Sequence, residues 1–185
     1  MSNLIATWAP AFIVTTGDNG ASYFDFSTLP GNERYYELDK GPAHFVFLDS
    51  DKAREPDGTS PASTQGLWAQ AAIAASAAPF QFVVFHHPAY TSGDRTADMD
   101  WPFKTWGVDA VITGHVHNYE RLRSPATGLQ YFVNGQGGVT THGFGPSIRR
   151  ASSASTRRTA RRILQFAGPN ARSLPGIAGR GILGE

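Results

Sequence analysis

There is no cysteine in the 185 residues. Disulfides and thiolate ligands are therefore excluded, and any bound metal must be held by His, Asp, Glu or Asn. Long hydrophobic runs are also missing. The longest, around Phe82–Phe85, falls far short of the roughly 20 apolar residues a membrane span requires. The opening Met1-Ser2-Asn3-Leu4-Ile5 has no charged segment leading into an apolar stretch, so neither a signal peptide nor membrane association is expected. Acids almost vanish after Glu120, where Glu185 alone follows.

That last scarcity divides the chain. Up to Gly143, 8 Lys and Arg stand against 14 Asp and Glu, a net of −6; from Phe144 onward, 8 Arg stand against one acid, a net of +7. Two segments of such different charge are expected to serve different purposes. Residues 1–143 read as a partial domain. Residues 144–185 read as a low-complexity basic tail, expected to be disordered, with Arg pairs set among Ser, Ala, Thr, Gly and Pro. The apolar fraction of 41% and the 12 Phe are enough for one globular domain in the first part.

Within it, short apolar runs end in polar turns. Phe12–Thr16 stops at Gly17-Asp18-Asn19-Gly20, and Phe45–Leu48 at Asp49-Ser50-Asp51. Phe82–Phe85 stops at His86-His87-Pro88, Asp109–Thr113 at Gly114-His115, and Gln130–Asn134 at Gly135-Gln136-Gly137-Gly138. Each reads as a buried strand. A helix is expected over about Gln65 to Ala77, capped by Ser63 or Thr64, with Leu67, Ala71, Ala74 and Ala78 at helical spacing. A short helix is expected between Trp101 and Trp106. Strands alternating with helices, and apolar on both faces, suit an α/β sheet whose polar residues gather at one edge.

The candidate ligands all follow strands: Asp18, His86, His87, His115 and His117. Singly, each has a plain structural reading. Gly-Asp-Asn-Gly makes a turn, and His-His-Pro ends a strand. In extended chain His115 and His117 would face the same side and enter one site. Imidazole and carboxylate together suit Zn, Fe or Mn.

Taken jointly, these segments resemble the calcineurin-like metallophosphoesterases, and within them the bacterial branch similar to purple acid phosphatases. The resemblance rests on Gly17-Asp18-Asn19, on His86 through Gly93, on Gly114-His115-Val116-His117-Asn118-Tyr119-Glu120-Arg121, and on Tyr131 through Gly138. Leu29 through Tyr36 and Gln65-x-x-Trp68 add to it. It implies a sandwich of two mixed β-sheets flanked by helices, with two transition-metal ions beyond the strand ends. By resemblance, Asp18 bridges the metals, His117 binds the first, and His86 and His115 bind the second. His87 would stand behind the ligands, and so would Tyr119, Glu120 and Arg121, mainly as packing residues. The implied activity is hydrolysis of phosphate esters, the cations polarising the phosphoryl oxygens and acidifying a coordinated water. Relatives of this branch are often exported.

Four features depart from the family pattern. Residues 1–17 contain no Asp and no His, so the opening Asp-x-His motif is absent. No Gly-Asn-His-Asp or Gly-Asn-His-Glu segment follows, and Gly31-Asn32-Glu33 does not replace it, so no catalytic residue can be assigned. Ala21 stands where purple enzymes carry a Tyr. The Arg-rich tail lacks the family's closing strands. A missing start, a deletion near Asn19–Gly20 and a shifted reading frame after Gly143 would together produce such a chain. The resemblance therefore implies at most one firmly held metal and impaired activity. Two other readings compete: an inactive remnant or binding protein of the same fold, and a nucleic-acid binder acting through the Arg pairs. The acidic body and the lack of interleaved aromatics speak against the last.

Overall fold

A computed structural model of the chain describes residues 14–17, 28–93, 96–136, 140–141 and 143–144, together with the backbone of 151–155, 163–164 and 183–184. Seven strands form one mixed sheet. They are β1 (Tyr36–Lys40), β2 (Ala43–Phe47), β3 (Phe80–Phe85), β4 (Ala110–Thr113), β5 (Tyr119–Arg123), β6 (Gln130–Asn134) and β7 (Ala151–Ser155), in the spatial order β1-β2-β3-β4-β6-β5-β7. β2, β3, β4 and β6 run parallel. β1 joins β2 as an antiparallel hairpin, and β5 lies antiparallel to β6 and β7. The other ladder among the described residues is a two-residue pair, β8 (Ile163–Leu164) with β9 (Leu183–Gly184). The α/β class and the mixed sheet agree with expectation; of the two mixed sheets expected, the described residues form one. The basic segment lies outside the described residues apart from Phe144 and the strand backbones just named, and so does the first half of the Phe12–Thr16 run, whose last residues are not in a strand.

Both sheet faces are buried. On one, Val46, Val83, Phe85, Val111 and Val133 pack beneath α1 (Thr64–Ala75) and α2 (Phe103–Trp106). On the other lie Phe45, Phe47, Phe82, Val84 and Phe132, with Tyr36 stacked on Phe47 at 4.5 Å. Alternate residues of β3 thus serve opposite cores, which is why Phe80–Phe85 is apolar throughout.

Ser63 caps α1, its hydroxyl accepting from the Gly66 amide at 3.2 Å. The helix is the one expected, but its buried face is different. Gln65, Gly66, Ala69 and Ile73 point inward, whereas Leu67 is 58% exposed. Gly66 lies so close to the Ser60 and Pro61 carbonyls that no Cβ fits there, so the first turn of the helix is pressed against the loop that precedes it, with Gln65 turned inward. No helix among the described residues is long and apolar enough to cross a membrane.

Phe85 is 1% exposed and stacks on Phe103 at a 6.0 Å ring separation. Phe85→Ala is expected to cost about 3–5 kcal/mol in guanidinium unfolding. A loss below about 1 kcal/mol would show that this face is not the structural core.

Candidate metal centre

Because β2, β3 and β4 are parallel, their C-terminal ends meet at one edge. Ser50 follows β2, His86 and His87 follow β3, and Gly114-His115 follow β4. The pairing continues past the strands: the Leu48 amide donates to the Val84 carbonyl at 2.9 Å, and the Gly114 amide to the His86 carbonyl at 3.0 Å. The histidines are therefore placed by the sheet itself. His115 Nδ1 and His86 Nε2 lie 3.2 Å apart, and the His87 and His115 ring centres 4.6 Å apart. One ring nitrogen from each of His86, His87 and His115 falls within 4.8 Å of the others.

Glycine allows this approach. Gly17, at φ 105°, sits where an added Cβ would come within 2.8 Å of the His86 Cβ. Gly114 likewise has no room for a side chain against Thr16, and its missing Cβ would lie 3.4 Å from His86 Nδ1. The Gly-Asp and Gly-His motifs thus begin with glycine because the backbone there touches the neighbouring strand end.

The sequence-derived residues divide into four groups. His86 and His115 come together, and His87 joins them. His117 does not belong to that group; its Nδ1 lies 3.2 Å from the Thr140 carbonyl. The extended geometry expected for residues 115–117 is not what forms. His115 adopts φ 61°, a left-handed conformation unusual for a non-glycine residue, and residues 115–118 bend. Asp18 lies outside the described residues; Gly17, next to it in sequence, packs on His86. Tyr119 is buried in the second-face core, and Arg121 is half-buried opposite Phe132.

Gln65 and Ser50, which carry no expected role, prove central, and so does Glu120, expected to stand behind the ligands. Gln65 is fully buried and clamps the β2 exit: its Oε1 accepts from the Asp49 amide at 2.7 Å, and its Nε2 donates to the Asp49 and Gly58 carbonyls at 3.0 and 2.9 Å. Ser50 accepts from the His87 amide at 2.9 Å and contacts His87 Nδ1 at 2.9 Å. Glu120 is fully buried on β5. Its carboxylate accepts from the Ser92 amide (2.7 Å), Ser92 Oγ (2.5 Å), Asn118 Nδ2 (3.0 Å) and Thr91 Oγ1 (3.4 Å). It ties the loop after His86-His87 to the turn carrying His115 and His117. Its position in Tyr-Glu-Arg was the available signal for a supporting role, but not for the four donors it gathers.

His86, His87 and Ser50 open onto a cleft of about 290 Å³, also lined by Glu33, Arg34, Asp49, Asp51 and Arg54. Behind its rim Glu55 is buried, with Arg34 NH1 at 3.8 Å. Burial raises the Glu55 carboxyl above its ordinary value of 4.5, opposed by the Asp57 amide that it accepts at 2.8 Å.

The donor set fits a borderline cation. A tetrahedral zinc with imidazole bonds of about 2.0–2.1 Å separates its ligand nitrogens by about 3.3 Å. The His86–His115 nitrogen spacing of 3.2 Å is close to that value, and it is equally the length of an N–H···N hydrogen bond between the two rings.

The calcineurin-like phosphoesterase family model matches residues 6–119, and the chain belongs to that family. Among solved structures it is similar to the purple acid phosphatase PPD1 from yellow lupin (Lupinus luteus) seeds, at 19% identity and a TM-score of 0.60, covering 71% of this chain and 28% of that one. It is also similar to GAP50, the anchor in the inner membrane complex of Plasmodium, at 20% identity and a TM-score of 0.48, covering 66% and 42%. No curated protein matches. The chain thus spans under a third of the lupin enzyme, and at these identities the likeness is one of fold.

Two outcomes follow from the buried acids. Glu120→Ala strands the Ser92 and Asn118 donors and should cost about 3 kcal/mol or more in chemical unfolding; an Ala variant as stable as the parent would refute the clamp. For Glu55 the sign is opposite. A carboxyl raised in the folded state favours folding below its unfolded value and loses that contribution as pH rises through the folded one. Glu55→Gln should therefore raise the thermal midpoint at pH 8 and change it little at pH 4, as scanning calorimetry at both values would show.

Proposed function

We propose that this chain holds a single divalent cation between His86 and His115 and hydrolyses a phosphate ester there, with less competence than a complete two-cation site. The observation that carries the proposal is the 3.2 Å approach of His86 Nε2 to His115 Nδ1 at the parallel sheet edge. Family membership supports the metal-dependent phosphoesterase class. By resemblance Asp18 supplies the carboxylate, and two imidazoles with one carboxylate leave a fourth position open on Zn, Fe or Mn.

A cation held there supplies Lewis acidity to a phosphoryl oxygen and to a coordinated water. The protein's own part is positional. β3 and β4 fix the two imidazoles, and the glycines at 17 and 114 let them meet. Arg34 and Arg54 stand in the same cleft, paired with Glu55 and Asp51, and could turn their guanidinium groups to an anionic substrate only by sharing them with those acids. The Thr140 carbonyl beside His117 Nδ1 does not count against His117, since a ligating imidazole commonly donates its other N–H to such a group. Reduced competence follows from the lack of an Asn-His pair between Asp18 and His86. The same observation favours the second reading, an inactive remnant that keeps the fold.

Metal analysis after exhaustive dialysis is expected to find about one zinc per chain, falling to near zero in His86→Ala and His115→Ala. Two retained equivalents, or none, would contradict the single site. Slow hydrolysis of p-nitrophenyl phosphate, restored by added Zn or Mn after chelation, is expected of the hydrolase. A zinc-loaded chain with no turnover is the remnant.

A further inference from the structure

We propose that His87 is a substrate-binding donor, fixed as its Nε2–H tautomer by Ser50, and not a third metal ligand. This rests on the phosphoesterase reading of the same site and assigns His87 its role within it.

Ser50 is 3% exposed, and among the described residues its Oγ meets the backbone amide and the ring Nδ1 of His87. A serine hydroxyl has one proton to give and two lone pairs. The His87 backbone amide donates to Oγ at 2.9 Å, taking one lone pair. The hydroxyl proton then needs an acceptor, and among the described residues His87 Nδ1, at 2.9 Å, is the one within reach. If Nδ1 carried the proton instead, it would donate to Oγ and leave a buried O–H without an acceptor, a state proteins avoid because it forfeits a hydrogen bond already lost to water. The satisfied arrangement therefore has Oγ–H donating to Nδ1, and the ring proton sits on Nε2.

For Nε2 to ligate a cation its proton would have to be displaced or moved to Nδ1, and the move to Nδ1 would strand the Ser50 hydroxyl. The Nε2–H can donate to an anion. His87 is half-buried and lines the cleft that holds Arg34 and Arg54, with its ring edge-on to His86 at 4.8 Å and close to His115. A phosphoryl group bound beside a His86–His115 cation would thus find an N–H donor on the neighbouring ring, and Ser50 is its positioning residue. Such a donor would meet a need that the sequence leaves open, because no Asn-His segment supplies a histidine for the substrate.

The test is nitrogen-15 NMR of the full chain with labelled histidines, in three steps. In the metal-free protein, His87 is expected to show a protonated Nε2 and a bare Nδ1, and Ser50→Ala should collapse this to a mixture while the other histidine tautomers stay. Added zinc should move the ring nitrogens of His86 and His115 and leave the His87 Nε2 proton in place. Inorganic phosphate added to the zinc-loaded chain should then shift that Nε2–H, and His87→Ala should weaken phosphate binding about ten- to a hundredfold without lowering zinc content. Loss of the Nε2 proton on adding zinc would make His87 a ligand and overturn the proposal, as would an Nδ1–H tautomer or a phosphate titration that leaves His87 unmoved. Failure of the zinc-loaded chain to hydrolyse any ester would instead refute the hydrolase reading, while these resonances still score His87.

Discussion

The parallel pairing of β2, β3 and β4 is the constraint on which the metal centre depends. Parallel register sets three strand ends side by side at one edge, and a polar residue with a role follows each within three residues. Ser50, His86, His87 and His115 come from positions up to 65 residues apart in the sequence, yet they need no long loop to meet. The sheet can do this because both of its faces are buried. Packing on two cores fixes the strands against sliding, and a one-residue slip would exchange every side chain between those cores.

Close backbone contact then finishes what pairing begins. Gly17 and Gly114 leave no space for a Cβ against His86 and Thr16, so the turns at the strand ends press directly on the imidazoles. Glu120 and Gln65 hold the loops from behind, one through four donors and the other through three backbone groups. These polar clamps are buried, so each depends on complete hydrogen bonding, and that dependence gives them geometric precision.

Much of this was legible in the sequence where apolar runs stop at a marked residue. β2, β3, β4 and β6 are such runs, and so the edge carrying His86 and His115 could be read directly. β1 and β5 could not. Their polar members, Glu37, Asp39, Glu120 and Arg121, break the apolar pattern that marks a buried strand. The inward face of α1 was hidden for a different reason: Gly66 and Gln65 face the interior through backbone proximity and hydrogen bonding, neither of which shows as hydrophobicity. His117 shows the limit of spacing arguments. Alternation places i and i+2 together only in extended chain, and the left-handed φ at His115 removes that condition. Ser50 carried no signal beyond its place after a strand, since its role lies in a proton that a sequence does not display.

The central claim is that His86 and His115 share one cation. Anomalous diffraction at the zinc edge, on crystals grown from zinc-loaded protein, tests it most directly. A single strong peak within bonding distance of His86 Nε2 and His115 Nδ1, with His87 and His117 outside its coordination sphere, is the predicted result. A peak bonded to His117, or none at the sheet edge, would contradict it.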